Sequence, residues 1–221
     1  MTEMQTDTAQ ADRNRRWKKA ALALGLGAIA GFAGATLILQ FFDSGALPAV
    51  GASVEIAALV GLIYMLTAAA VAVGVISPKS GAKFLNVEDA EELQEQRGIL
   101  LYSGIGMATA GLALVAVALG GVAGVIDPAM ALTVYIALSV MTCWISLKSW
   151  KLQDELMRAA GSETAAFAYY LVLGIGGTWA VLAHLGFVTA PQPLDWLTLF
   201  WGLTLLAAFI AAGRRGMLAM R

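Results

Sequence analysis

Ser139, Thr142, Cys143 and Ser146 occur at i, i+3, i+4 and i+7, the spacing that gathers four side chains on one face of a helix. Their surroundings are apolar, so they form a polar stripe where polar groups are costly. The stripe has two readings. It can make interhelical hydrogen bonds, each contributing about a kcal/mol or less, or it can line a narrow polar path or a ligand headgroup. Covalent chemistry needs more. Cys143 is the single cysteine, with no His, Asp or Glu at its depth to raise its thiolate fraction. Serine hydrolysis lacks a G-x-S-x-G turn, and the one histidine, His184, lies toward the far end of another apolar run.

The remaining reactive groups are few. Glu55 and His184 fall at the same side of the apolar segments, so a polar pair between them is geometrically allowed. Glu55 alone would suit a helix N-terminus, which favours an anion. A single histidine excludes bis-histidine haem ligation within one chain, and no Cys/His set is present for zinc. No cofactor or metal is expected, and enzymatic activity is not the expected role. GLGAIA (25–30) has the spacing of a dinucleotide-binding turn, but that turn requires a preceding strand. Here the glycines lie inside an apolar run, where Gly27, Gly31 and Ala35, four apart, permit close helix packing within the bundle or across a homodimer seam.

Two acidic stretches repeat a pattern: EELQEQRG (91–98) and DELMRAAG (154–161) each lead into apolar sequence. A shift of 63 residues superposes Glu92 on Glu155, Gly98 on Gly161, Gly111 on Gly174 and Pro128 on Pro191, a match in punctuation more than in the apolar interiors. Asp154 and Glu155 have Lys151 and Arg158 at helical spacing, worth a few tenths of a kcal/mol per pair. Both stretches read as helical extensions. Glu88, Asp89, Glu91, Glu92 and Glu95 form either a solvated helix end or a docking surface for a basic partner, since an anionic membrane surface repels them.

The elements that must position these groups follow from composition. Of 221 residues, 59% are hydrophobic and only 13% charged, against about a quarter charged in soluble domains. Mean hydropathy is +0.76. A bilayer core needs roughly 20 apolar residues per helix, and six stretches qualify: 17–42, 54–77, 98–126, 129–147, 164–188 and 196–213. The expected fold is all-α, a polytopic membrane bundle of six transmembrane helices in three hairpins. A polar tail (1–16) precedes it and a basic tail (214–221) follows. With six spans, all fourteen Lys and Arg fall on one side, while Asp43, Asp127 and Asp195 occupy the other. Basic loops are retained in the cytoplasm, which predicts cytoplasmic N and C termini. Compact loops and Ala/Gly-rich spans suggest a bacterial inner membrane. Residues 14–35 look like a signal peptide, but the apolar run continues past the usual 7–15 residues.

No Asp, Glu, Lys or Arg falls in the middle of any span, whereas ion-coupled transporters keep such a residue for function. The leading expectation is an accessory, assembly or structural membrane subunit acting through helix packing and its cytoplasmic face. The alternative is a small permease or channel for an uncharged or lipid-like solute, using the stripe and the glycines of Gly174-Ile175-Gly176-Gly177. Expected partners are the lipid bilayer, a protein at the cytoplasmic face or a second copy through span 1. No nucleic-acid partner is expected.

Overall fold

The computed structural model describes residues 31–36, 40, 44, 50–76, 96–120 and 125–215. Every regular element among them is helical: α1 (Ala52–Ile76), α2 (Arg97–Gly120), α3 (Pro128–Leu152), α4 (Glu155–Leu171), a π-helical turn (Val172–Gly176), α5 (Gly177–His184) and α6 (Pro193–Arg214). The chain from α4 to α5 is one unbroken rod, which leaves five helices long and apolar enough to cross a membrane. Only 11–33% of the most apolar window of each is buried within the molecule. The other residues of those windows are half-buried or exposed, as lipid-facing helices require. Most of the expected first span, 17–42, lies outside the described residues. So do the acidic cluster Glu88–Glu95, the turn GLGAIA, the N-terminal tail and residues 216–221 of the C-terminal one. The described turn 31–36 is helical and lies against α1, for a methyl group on Gly34 would meet Leu62 Cδ2 at 2.9 Å.

Helix ends follow cap chemistry where hydropathy alone misplaces them. The Asp127 side chain accepts from Ala129 N at 2.9 Å and Met130 N at 3.2 Å, and Pro128 begins α3. This is the N-terminal arrangement that Asp-Pro predicts. Hydropathy ends this span at residue 147; α3 runs five residues further, to Leu152. Lys148 lies over the Trp144 ring, so the helix carries a cation past the apolar boundary at little cost. The next helix starts at Glu155, so the stretch 154–161 is a helical extension ahead of the apolar run at 164 as expected, and the Asp154 side chain accepts from Met157 N at 2.7 Å. Asp154 is thus a cap. Arg158 does not pair with it; its guanidinium stacks on Trp150 and reaches the Trp150 carbonyl oxygen. At its other end the rod stops at His184, not at 188. Gly186 adopts φ +80°, Gly186 N donates to Ala183 O, and Phe187 N donates to Leu182 O. That is a glycine-terminated helix end, and four apolar residues lie beyond it. Of the third expected span, 98–126, α2 is described as far as Gly120, and Val125 and Ile126 lie in a turn.

The helices pack as two hairpins joined through a three-helix core. In the first, Gly120 lies beside Ala131, Thr109 beside Thr142, Gly106 beside Ile145 and Gly98 beside Leu152. These pairs step in opposite directions by nearly equal amounts, so α2 and α3 are antiparallel in one register. In the second, α4 and the π-helical turn pack on α6. The hairpins meet where α6 lies against α1 and, more lightly, α2. Ala57, Leu114 and Ala118 are fully buried there, with Val54, Val60, Leu194, Leu197 and Trp201 around them. This core sits at the end where α1 and α6 begin. Toward the other end an apolar groove of about 320 Å³ opens between α1 and α2, lined by Met65, Ala68, Ala72, Leu101, Gly104 and Ala108 among others.

Candidate functional site

Three helices meet at mid-length through backbone contact and hydrogen bonds. At the α1–α2 crossing, a methyl group on Gly111 would lie 2.6 Å from Gly61 O and 2.8 Å from Tyr64 Cβ; one on Gly61 would lie 2.9 Å from Gly111 O. Only paired glycines let two helices approach this closely. Beside the crossing, Tyr64 Oη donates to Trp201 O at 2.9 Å, tying α1 to α6. Trp201 Nε1 donates to Ala110 O at 3.2 Å, tying α6 to α2. The neighbouring residue, Thr109, shares a 2.7 Å hydrogen bond with Thr142 on α3. Four helices are therefore linked at mid-length by one belt: Tyr64, Trp201, the Ala110 carbonyl, Thr109 and Thr142. A hydrogen bond that has no water to compete with it specifies which helix lies beside which.

The belt is spent on structure. Thr109 is 7% exposed and also donates toward Ile105 O and Gly106 O, and Thr142 toward Leu138 O, all at 3.0 Å or less. Among the described residues no fully buried side-chain oxygen or nitrogen lacks a partner. Among the described residues no three His, Cys, Asp or Glu converge on one point.

The other members of the stripe go elsewhere. The buried line of α3 runs through Ala131, Ile145 and Ser149. Thr142 borders it, while Ser139 is half-buried and Cys143 and Ser146 are exposed. The four residues share a face, as their spacing predicts, but only Thr142 reaches another helix by a hydrogen bond. Glu55 lies half-buried in the first turn of α1 and His184 is exposed at the end of α5; no hydrogen bond or ion pair joins them. Glu88, Asp89, Glu91, Glu92 and Glu95 lie outside the described residues.

Two features carry no signal in hydropathy. Glu163 on α4 accepts from Arg215 Nε at 2.7 Å, with Arg214 Nε at 3.7 Å, and Arg214 also covers the Phe167 ring. Glu163 falls one residue before the expected span and was hidden by that boundary. The glycines of the fifth span form the π-helical turn, a widening that often marks a functional or close-packed position. Gly176 is buried, and a methyl there would lie 2.9 Å from Trp196 Cζ3, whereas one on Gly174 would meet nothing within 4 Å. The 63-residue shift therefore equates a tight crossing, Gly111, with an open position, Gly174. Comparison of the chain with protein-family models, with curated proteins and with solved structures finds no match in any of the three.

Proposed function

We propose that this chain is a six-span membrane protein with both termini in the cytoplasm, acting as an accessory or assembly subunit through helix packing and its cytoplasmic face. The observation that carries this reading is the mid-length belt. Tyr64, Trp201, Thr109 and Thr142 spend their polar atoms holding helices together, which leaves no line of free polar groups through the described core. A conducting or proton-relaying protein keeps such groups available. The acidic cluster Glu88–Glu95 supplies the docking face in this reading.

The apolar groove between α1 and α2 favours a second reading, a permease for a lipid-like solute, since its lining offers Met, Ala, Val and Leu but almost no polar surface. Native mass spectrometry of the protein extracted from its own membrane separates the two. Co-purification of a second polypeptide, lost when Glu91, Glu92 and Glu95 are changed to lysine, supports the accessory role. A bound small molecule without a second polypeptide favours the permease, as does loss of activity on Ser139→Ala, Ser146→Ala or the groove-filling Ala72→Phe in protein that remains folded.

A further inference from the structure

The apolar groove between α1 and α2 opens beside a described part of the expected first span, the helical turn 31–36. That turn is seated on α1: a methyl group on Gly34 would meet Leu62 Cδ2 at 2.9 Å and Leu66 Cδ1 at 3.5 Å. Leu62 and Leu66 flank Met65, where the α1 wall of the groove begins. The direction of the chain at this contact follows from its neighbours. Gln40 is helical, Ser44 lies in a turn and α1 begins at Ala52. Ten residues separate Gly34 from Ser44, and ten separate Ala52 from Leu62; each stretch rises about 15 Å as a helix. Equal rises on either side of a turn are those of an antiparallel hairpin. Residues after Thr36 therefore lead to the end where α1 begins, and residues before Gly31 lead to the end where the groove opens.

We propose that the groove is the seat of this chain's own first span, with residues 20–30 laid between α1 and α2. The inference rests on the six-span reading and deepens it. Counted back from Gly34, which lies at the level of Leu62 and Leu66, Ala30, Gly27 and Ala23 fall level with Ala68, Val71 and Val75. All three of those α1 residues line the groove. Gly34, Ala30, Gly27 and Ala23 recur at steps of four, three and four, one line of a helix, and none has a side chain larger than methyl. The groove wall is matched to them, since Ala68, Ala72, Gly104 and Ala108 are equally small; backbones approach closely where both sides are small. The chemistry agrees as well. Residues 20–30 are Ala, Leu, Gly and Ile throughout, and no described lining residue offers a side-chain nitrogen or oxygen. A groove filled in this way holds no solute, which removes the observation that favours a permease.

Cysteine pairs read this contact, because a disulfide forms only when two Cβ atoms come within about 3.5–4.5 Å. In the Cys143→Ser background, Ala30→Cys with Ala69→Cys should close an intramolecular disulfide on mild oxidation of native membranes. Ala23→Cys with Ile76→Cys should do the same further along the hairpin. A protease site inserted within residues 45–49 makes the adduct visible, since the cleaved halves stay together only where the disulfide has formed. Ala72→Phe, which fills the groove, should lower the yield of the first pair several-fold. Native Cys143 is the control: Ala30→Cys alone, with Cys143 retained, should give no adduct. An adduct there would seat the first span on α3 and overturn the proposal. So would the absence of both groove disulfides in protein of wild-type stability, the result expected of a groove held by a lipid chain. Labelling of Ala9→Cys with a membrane-impermeant maleimide keeps that failure distinct from failure of the six-span reading. Reaction in inside-out vesicles but not in intact cells upholds the six spans even where the disulfides fail; the reverse overturns both.

Discussion

Placing a single methyl group at Gly111 tests the α1–α2 crossing where it is least able to yield. In Gly111→Ala the new carbon would lie 2.6 Å from the Gly61 carbonyl oxygen. Carbon and carbonyl oxygen rest at about 3.3–3.6 Å, so the two helices must part by roughly 0.7 Å or more. The obstruction is backbone, so no side-chain rotation relieves it. Overpacking of this kind costs roughly 1–3 kcal/mol, and alanine recovers up to about 1 kcal/mol of helix propensity, leaving a net loss of about 1 kcal/mol at the middle of that range. The same separation stretches the Trp201 bond to Ala110, one residue away. Unfolding by sodium dodecyl sulfate in mixed micelles, followed by tryptophan fluorescence, should show a lower midpoint and an altered folded-state emission from Trp201. Gly174→Ala is the matched control, because a methyl there meets nothing within 4 Å; its midpoint should hold or rise slightly. Equal midpoints for Gly111→Ala and wild type, or equal losses at both glycines, would refute the packing argument.

The belt makes two further predictions and the Glu163 ion pair a third. In a double-mutant cycle, Thr109→Val and Thr142→Val should show a coupling of about 0.6 kcal/mol and no more than about 1.7 kcal/mol, the range for hydroxyl pairs between membrane helices. Tyr64→Phe removes one donor without opening a cavity and should lower stability by about 0.5–1.5 kcal/mol in the same titration. At the end of α6, Arg215→Gln should cost more than Arg214→Gln, because Arg215 approaches Glu163 to 2.7 Å and is 24% exposed against 65% for Arg214. The Arg215 loss, about 0.2–1 kcal/mol, should shrink when the midpoint is measured at high salt.

Apolar run length was enough to anticipate a helical membrane protein, since roughly twenty residues without charge leave few soluble alternatives. It could not place helix ends, which depend on local chemistry that hydropathy averages away: the Asp154 cap, the left-handed Gly186 and the Lys148–Trp144 stack. The polar stripe on α3 was legible from spacing, but which of its members meets another helix was not. That depends on the register with α2, which brings Thr109 opposite Thr142. Neither apolar run length nor the spacing of polar residues singles out Tyr64 and Trp201. Both fall mid-helix, where an aromatic polar group needs a buried partner, and that position was the available signal.

The order of contacts also differs from the order of the chain at one point. Gln153 and Asp154 separate α3 from α4 by two residues, yet α3 packs on α2 while α4 packs on α6. During synthesis, α1, α2 and α3 can therefore complete their mutual contacts before α6 leaves the ribosome. Trp201 then arrives last, at a crossing where the Ala110 carbonyl and the Tyr64 hydroxyl are already in place to receive it. Arg158 stacked on Trp150 is a small, exposed contact across this junction, so two coexpressed polypeptides divided there should find each other in the membrane and rebuild the same bundle.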